Sequence, residues 1–188
     1  MHHKERKTSL KIGTINCRGL TKKLKKNQLA NDAQRLGADI MVTQETKIKN
    51  TSTFKVKTSD GKEEYTHYNS GNSKSHHGVG ILVKKGTQLD FTPVNERLCI
   101  SKVKLERKDQ KLVVITAYAP TLVESEKTPS IREEFYDKLD SIVNSISNRD
   151  ILVIAGDFNA KTGSVFRKYK ENMGKFGKGK IMEMGQNC

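Results

Sequence analysis

Five polar side chains of types suited to phosphate chemistry follow or end separate apolar segments of this chain. They are Asn16, Glu45, Tyr118, Asp157 and Asn159. Carboxylate and amide oxygens suit a hard cation such as Mg²⁺ (or Mn²⁺), which binds through one or two carboxylates, waters and a substrate phosphate. A second carboxylate can orient or deprotonate a water, and amide or phenol groups can donate hydrogen bonds to phosphate oxygens. The set indicates metal-assisted hydrolysis of a phosphoester.

Asp157 is the most informative of the five. The run Ile151–Ala155 before it is continuously apolar, which predicts a strand buried on both faces. A carboxylate at the carboxyl end of such a strand stands where open α/β sheets bind ligands. An Asx turn is the alternative, because Asp and Asn favour turns. The other four residues have structural alternatives of the same kind: a turn, a surface acid, a core ring or a helix cap.

Apolar patterning predicts the strands that position these residues. The expected strands cover residues 10–15, 40–42, 79–83, 98–105, with a bulge, 112–118 and 151–155. The fourth and fifth should form a hairpin. Residues 46–77 are polar and predict only a turn at Asp60-Gly61 and a loop.

Two helices are expected between these strands. The first covers residues 21–36, with Leu29, Ala33 and Leu36 on one face and Gly37 as its end. It links the first two strands as a β-α-β unit, so these strands should be parallel. The second covers residues 130–147, with a Thr128 cap and Pro129 in its first position. The sequence therefore predicts a mixed α/β fold.

The net charge of +14 is concentrated in two basic clusters. Residues 1–28 hold nine Lys or Arg and one acid, and residues 161–180 hold seven and one. Such clusters attract polyanions, so DNA or another nucleic acid is the expected partner, with a solvated surface as the alternative. The predicted nucleic-acid contacts are Arg18, Lys22, Lys161 and Lys168.

The composition also constrains the compartment and the domain organisation. Three cysteines without a CxxC motif favour a reducing compartment and offer neither a disulfide scaffold nor a zinc site. No apolar stretch approaches the roughly 20 residues of a membrane span, and the charged amino end is not a signal peptide. We expect a nuclear or cytoplasmic monomer, neither secreted nor membrane-bound, with a basic tail at residues 1–9 and one domain at 10–188.

Five blocks in order resemble the endonuclease/exonuclease/phosphatase superfamily, and most closely the apurinic-type endonuclease domain of non-LTR (LINE-like) retrotransposon proteins. The blocks are T-I-N-C-R-G-L at 14–20, A-D-I-M-V-T-Q-E-T at 38–46, G-V-G-I-L-V at 78–83, I-T-A-Y-A-P-T at 115–121 and A-G-D-F-N-A-K-T-G at 155–163. The resemblance covers about residues 10–187. It implies a four-layer α/β sandwich, with two mixed sheets face to face and helices outside. It also implies Mg²⁺-dependent cleavage of DNA, and a parent protein that could carry a reverse transcriptase.

The resemblance implies a role for each residue at a strand end. Glu45 matches the metal-binding Glu of the family, and Asn16 matches the Asn near the metal and its waters. Tyr118 and Asn159 match residues that contact the phosphate. Asp157 matches the Asp that orients or deprotonates the attacking water.

The family pattern continues with a Thr-Trp region, a further Asp and a Ser-Asp-His block that these 188 residues do not match. All five histidines precede Asp157, and the sequence has no Trp. His76 and His77 lie in a polar loop and are expected to be solvated rather than to replace the family histidine. We therefore expect a sandwich that is incomplete in its C-terminal half, with unpaired strands and little or no nuclease activity.

Three alternatives remain open at this point. The chain could be a non-catalytic nucleic-acid-binding remnant, which would bind DNA in a salt-dependent way without cleaving it. It could be a phosphatase of the same superfamily that acts on inositol phosphates or phospholipids. It could also be a degenerate gene product that does not fold stably, which would show no sharp thermal transition.

Overall fold

The computed structural model describes residues 9–74, 76–105 and 109–160. Its strands, in chain order, are β1 Ile12–Asn16, β2 Ile40–Gln44, β3 Ser52–Lys57, β4 Glu64–Ser70, β5 Val79–Lys84, β6 Leu89–Pro93, β7 Leu98–Lys104, β8 Lys111–Tyr118 and β9 Ile151–Asp157. Its helices are α1 Lys23–Leu36, α2 Leu122–Lys127 and α3 Ser130–Asn144. The predicted contacts Lys161 and Lys168, their basic cluster and nearly all of the predicted N-terminal tail lie outside the described residues.

The described strands form two mixed sheets. One has five strands in the order β1-β2-β5-β4-β3, and the other has four in the order β6-β7-β8-β9. β1 and β2 are parallel, which confirms the predicted β-α-β unit, and β7 pairs with β8 as the predicted antiparallel hairpin. β8 and β9 are also parallel, so each sheet holds one parallel pair.

Three apolar clusters show that the molecule has four layers. Ile40 and Val42 of the first sheet pack with Val103 and Val114 of the second, which makes the cluster between the sheets. A second cluster joins α1 to the outer face of the five-stranded sheet, and a third joins α3 to the outer face of the four-stranded sheet. The order α1, sheet, sheet, α3 confirms the predicted four-layer sandwich.

The end of α1 follows the prediction, but its core face differs. Gly37 ends the helix in a left-handed conformation at φ 62° and donates its N–H back to the last turn. Leu29 and Ala33 are buried as expected, whereas Leu36 is 54% exposed. Ala30 takes the third core position instead, so the buried face of the helix is rotated away from Leu36 toward Ala30.

Two predictions are wrong, one about the second sheet and one about the helix α3 that packs on it. β7 pairs with β8 in continuous register from Leu98 to Lys104, without the expected bulge. The alternation slips in the sequence because the first half of β7 is covered on both faces, whereas Lys102 and Lys104 in its second half are exposed. Thr128 does not cap α3, since Pro129 is the residue before the helix and no side chain caps it.

The strand before Asp157 is less buried than its apolar run predicts. Ile151 is 45% exposed and Ile154 is 38% exposed. β9 forms an edge of the sheet in the described part of the chain, so it has a paired neighbour on one side only. Val153 and Ala155 pack toward the facing sheet, and Leu152 packs toward α3, whereas Ile151 and Ile154 stay partly open to solvent.

Within the described residues, none of the helices combines the length and the apolar character of a membrane span.

Candidate active site

The carboxyl ends of β1 and β2 in one sheet meet those of β8 and β9 in the other. The residues predicted from sequence to carry chemistry stand at these ends. Each parallel pair brings two strand ends to the same edge of its sheet, and the face-to-face packing of the sheets brings the two edges together. The fold therefore assembles side chains that are up to 141 positions apart in sequence.

Glu45 is at the centre of this meeting point. Its Oε1 accepts a hydrogen bond from Asn16 Nδ2 at 2.7 Å and another from the Tyr118 hydroxyl at 3.2 Å. Asn16 Nδ2 also donates to Asp157 Oδ2 at 3.2 Å. Two carboxylates carried by different sheets thus share one amide group, which holds them near each other and lessens their mutual repulsion.

The backbone at Glu45 is in an uncommon conformation. Its φ is 50°, in the left-handed region that residues other than glycine seldom occupy. The hydrogen bond from Gly19 N to Glu45 O and that from Cys17 N to Gln44 O hold the loop after β1 against this turn. Such strain persists only where the surrounding structure imposes it. In this conformation the Glu45 carboxylate contacts both Asn16 and Tyr118.

Asn159 has the same left-handed conformation, with φ 48°, and is tied to Asp157. Its backbone N–H donates to Asp157 Oδ1 at 3.0 Å, and its side-chain Nδ2 donates to Ala119 O at 2.6 Å. This arrangement fixes the Asp157 carboxylate and joins the loop after β9 to the end of β8. Contact between Asn159 and a phosphate remains a prediction, since its amide N–H group is bonded to the backbone.

An open cleft lies beside the four joined side chains. It has a volume of about 510 Å³ and lies between the ends of β1 and β9. Asn16 and Asp157 line it, together with Gln44 and Phe158. A substrate that enters this cleft meets one carboxylate of the pair directly.

The phenol of Tyr118 is a neutral donor over a wide pH range. Burial, with the neighbouring Glu45 charge second, raises the pKa of Tyr118 to about 12. The hydroxyl therefore keeps its proton at physiological pH and can donate it to Glu45 or to a bound oxyanion.

A buried arginine supports Tyr118 from behind. The Arg97 side chain is 7% exposed, and its guanidinium lies 5.5 Å from the centre of the Tyr118 ring. Its Nη2 donates to Glu124 Oε1 at 2.6 Å and to His77 Nε2 at 3.1 Å, while Nη1 lies 3.4 Å from Tyr118 O. The guanidinium thus links α2 and the loop before β5 to the end of β8.

The prediction that both loop histidines are solvated holds for His76 and is wrong for His77. The His77 ring is 5.8 Å from the Tyr118 ring, and its side chain is 22% exposed. Burial and the Arg97 charge lower the pKa of His77 below its ordinary value, so the ring remains neutral and accepts from Arg97. Sequence patterning missed this ring because the polar loop around it resembles a solvent-exposed segment.

Sequence reasoning also missed Arg97 and Glu124. Thr121 and Glu124 form a capping box at the start of α2, with Glu124 Oε2 accepting from Thr121 N at 2.8 Å. Burial raises the pKa of Glu124, but hydrogen bonds from Thr121 and Arg97 outweigh that effect and lower it. The Thr-x-x-Glu spacing was the available signal for this helix start, whereas no local pattern indicates that Arg97 is buried.

The two predicted basic contacts in the described part lie beside the site. Arg18 is exposed, and its backbone N–H donates to Asn16 Oδ1 at 3.1 Å. Lys22 is exposed and precedes the first turn of α1. Neither side chain contacts the joined carboxylates, so their role toward nucleic acid remains a prediction.

The donor set of the site fits a hard divalent cation. Glu45 Oε1 accepts two hydrogen bonds, whereas Oε2 has only the Lys47 ammonium 3.8 Å away. Within the described residues, no three His, Cys, Asp or Glu side chains converge as a closed metal site would require. Burial raises the pKa of the neighbouring Cys17 thiol to about 12, so it is a poor thiolate ligand. Glu45 and Asp157, with waters and a phosphate, form the kind of sparse set that Mg²⁺ uses.

Comparison with known proteins identifies relatives of this chain. A model of the endonuclease/exonuclease/phosphatase family matches residues 13–176. Craniofacial development protein 2 of Bos taurus is 29% identical over 178 residues, which are 93% of this chain and 28% of the bovine protein. The chain therefore spans less than a third of the length of the curated relatives that it matches.

Solved structures share the fold at low sequence identity. The endonuclease domain of TRAS1, a telomere-specific non-LTR retrotransposon, matches with a TM-score of 0.54 at 17% identity, over 81% of this chain and 60% of that domain. The 3′ phosphatase NExo from Neisseria, bound to a product DNA hairpin, matches with a TM-score of 0.56 at 18% identity, over 86% of this chain and 63% of that one. Likeness at these identities establishes the fold alone.

Proposed function

The chain belongs to the endonuclease/exonuclease/phosphatase family, and from that premise we propose that its site hydrolyses phosphodiester bonds of nucleic acid with the help of Mg²⁺ or Mn²⁺. The observation that carries the proposal is the shared amide of Asn16, which donates to Glu45 of one sheet and Asp157 of the other. Two carboxylates so joined beside an open cleft, with a neutral phenol donating to one of them, suit attack of water on a phosphate.

Each side chain has a distinct part in this proposal. Glu45 would hold the cation, and the cation would neutralise charge on the phosphate. Asp157, fixed by the Asn159 backbone, orients the attacking water and accepts its proton. Tyr118 donates its hydroxyl hydrogen to a phosphate oxygen as negative charge builds up there. Asn16 keeps the two carboxylates next to each other by donating a hydrogen bond to each.

The nucleic-acid substrate is supported by charge and by relatives. A chain with a net charge of +14 attracts a phosphate backbone. Proteins of similar structure include the endonuclease domain of a retrotransposon and a 3′ phosphatase bound to a DNA hairpin. We propose DNA cleavage of the retrotransposon-endonuclease type. Phosphate contacts would come from Arg18 and Lys22, with Lys161 and Lys168 from the second basic cluster.

A polypeptide of these 188 residues should nick DNA slowly or not at all. No histidine follows Asp157 in it, and the loss of a general acid lowers rates by roughly 10²–10⁴. A substrate whose leaving group departs as a stable anion does not need that acid. The p-nitrophenyl ester of thymidine 5′-phosphate is such a substrate, so its hydrolysis should exceed DNA nicking by a large factor.

The test compares this ester with supercoiled plasmid in Mg²⁺ or Mn²⁺. We expect ester hydrolysis by the unaltered chain, and its loss in Glu45→Gln and Asp157→Asn, which keep side-chain size. Glu133→Gln, on the exposed face of α3, is the matched control and should hydrolyse the ester normally. Ester hydrolysis that does not differ between Glu45→Gln and the unaltered chain would rule the proposal out.

The basic charge also favours a second candidate, a nucleic-acid-binding protein without catalysis. It predicts DNA binding that weakens steeply with salt, together with no hydrolysis of either substrate in any cation. The ester assay separates the two candidates, because only the first predicts an effect of Glu45→Gln.

A further inference from the structure

A basic cleft separate from the candidate active site lies between α1 and β3. It has a volume of about 380 Å³ and is lined by Lys23, Lys26, Asn27, Lys55, Val56, Lys57, Thr58 and Ser59. No carboxylate is in this lining, and its polar side chains are all of types that can donate a hydrogen bond, although the Thr58 hydroxyl already donates to the adjacent Asp60. We call this surface the lysine cleft.

A neighbouring cleft, at the turn between β3 and β4, contains lysines whose charges are offset by acidic side chains. It also holds four lysines, but Glu63 and Glu64 line it with them. Each of its lysines is paired with an acid: Lys57 and Lys85 with Glu64, Lys84 with Glu63, and Lys62 with Asp60. Three acids therefore offset most of the positive charge of these four lysines.

The lysine cleft lacks such compensation. In the described part of the chain, Lys23 and Lys55 have no acidic partner within ion-pair distance, and Lys26 lies 4.0 Å above the Phe54 ring rather than beside a carboxylate. Only Lys57 is paired, at 3.8 Å. Ammonium groups on the lining of one cleft without counter-charges raise the local potential, which a phosphate anion would lower.

The position of the cleft connects it to the candidate active site. Lys23 and Lys26 lie in the first turns of α1, which begins seven residues after Asn16. On the other side of these turns, Lys25 and Gln28 line a small cavity together with Asn16. The lysine cleft is thus about one helix diameter, roughly 10 Å, from the loop that carries Asn16.

We propose that the lysine cleft binds phosphate groups of the nucleic-acid backbone on one side of the candidate active site. The preference for phosphate follows from the unpaired lysines and the donors around them, and the choice of nucleic acid as the ligand rests on the proposed function. Lys23 belongs to the α1 wall of the cleft and Lys55 to its β3 wall. The lysine cleft therefore extends the binding surface beyond Arg18 and Lys22.

The test measures DNA affinity as a function of salt. A fluorescein-labelled duplex is titrated with the chain by anisotropy at several KCl concentrations, in EDTA so that no cleavage occurs. The double variant Lys23→Gln, Lys55→Gln should reduce the slope of log affinity against log salt by about 1.8, because each phosphate contact contributes about 0.9. Affinity at the lowest salt should fall at least tenfold.

The matched control is Lys62→Gln, Lys85→Gln, which removes the same charge from lysines already paired with acids. Its slope should remain that of the unaltered chain, and both double variants should keep the thermal midpoint. Equal losses of slope in the two double variants would overturn the inference, because net charge alone would then explain binding. An unchanged slope in Lys23→Gln, Lys55→Gln would overturn it as well.

This outcome is distinguishable from failure of the proposed function. The two readouts test different residues, because the ester assay depends on Glu45 and the salt slope depends on Lys23 and Lys55. Selective loss of slope in the cleft variant, without ester hydrolysis by any variant, would support the cleft and reject the phosphodiesterase. Ester hydrolysis that depends on Glu45, with an unchanged slope in the cleft variant, would support the phosphodiesterase and reject the cleft.

Discussion

At the scale of single residues, polar groups around Tyr118 hold its side chain in position in the candidate site. Glu45 accepts a hydrogen bond from the Tyr118 hydroxyl, and Arg97 donates one to the Tyr118 backbone carbonyl. The five predicted residues could be found from sequence because each stands at the end of a recognisable strand. Arg97 could not, because its burial depends on Glu124 and His77, which reach it from other segments.

Replacement of Arg97 by Met should destabilise the protein. The change leaves Glu124 and His77 without their shared donor, and breaking a largely buried ion pair costs several kcal/mol. Because Glu124 is partly exposed, we expect a loss of about 1–3 kcal/mol in the free energy of unfolding, measured by urea denaturation. Arg35→Met, which removes an exposed partner of Asp32, should cost less than about 1 kcal/mol. Similar losses in the two variants would show that the Arg97 network adds nothing beyond a surface pair.

At the scale of elements, the contact between β8 and β9 positions Asp157. Gly156 is paired with Ala117, and an added Cβ at Gly156 would lie 1.8 Å from Ala117 O. The two strand ends can therefore approach closely only because this residue has no side chain.

Gly156→Ala should separate these strand ends and move the Asp157 carboxylate. We expect a cost of about 3 kcal/mol, the upper end of the usual range for overpacking, since the clash is with backbone. Gly61→Ala is the control: Gly61 has φ 70° with open space around it, so only the backbone term of about 1–2 kcal/mol applies. If both changes cost the same in urea denaturation, close packing at Gly156 is not what positions Asp157.

The hairpin of β3 and β4 marks a limit of prediction from sequence. Its inward positions on β4 include His67 and Asn69, both fully buried, so no apolar alternation reveals the strand. The Asn69 side chain accepts a hydrogen bond from Thr46 Oγ1 at 2.6 Å and donates one to Asn50 O at 2.9 Å. These hydrogen bonds form only when the chain folds. The turn at Gly61, by contrast, was predicted correctly, because a left-handed φ there is a local property.

At the scale of the whole molecule, stability should depend on pH through a buried histidine. His67 is fully buried, its Nε2 lies 2.9 Å from Thr43 Oγ1, and its ring stacks on Phe54 at 4.8 Å. Burial, followed by the charge of Lys26, lowers the pKa of His67 to about 3. Between that value and about 6.5 the unfolded chain binds a proton at this residue that the folded chain does not.

The folded state should therefore lose stability as pH falls below about 6.5. We expect His67 alone to contribute a slope of about 1.4 kcal/mol per pH unit between pH 6 and 5, with a further contribution from His77, whose pKa is also lowered. Urea denaturation across this range should show a smaller slope for His67→Gln and an unchanged slope for His76→Gln, an exposed residue. A wild-type slope that survives in His67→Gln would show that other groups cause the acid sensitivity.

Strand ends of the two sheets meet around Glu45, and we propose that this meeting point holds a divalent cation. Manganese binding to the 188-residue chain, followed by electron paramagnetic resonance of free Mn²⁺, tests it most directly and needs no catalysis. We expect one Mn²⁺ per chain, with affinity at least about tenfold weaker in Glu45→Gln and unchanged in Glu133→Gln. Equal stoichiometry and affinity in Glu45→Gln and in the unaltered chain would contradict it.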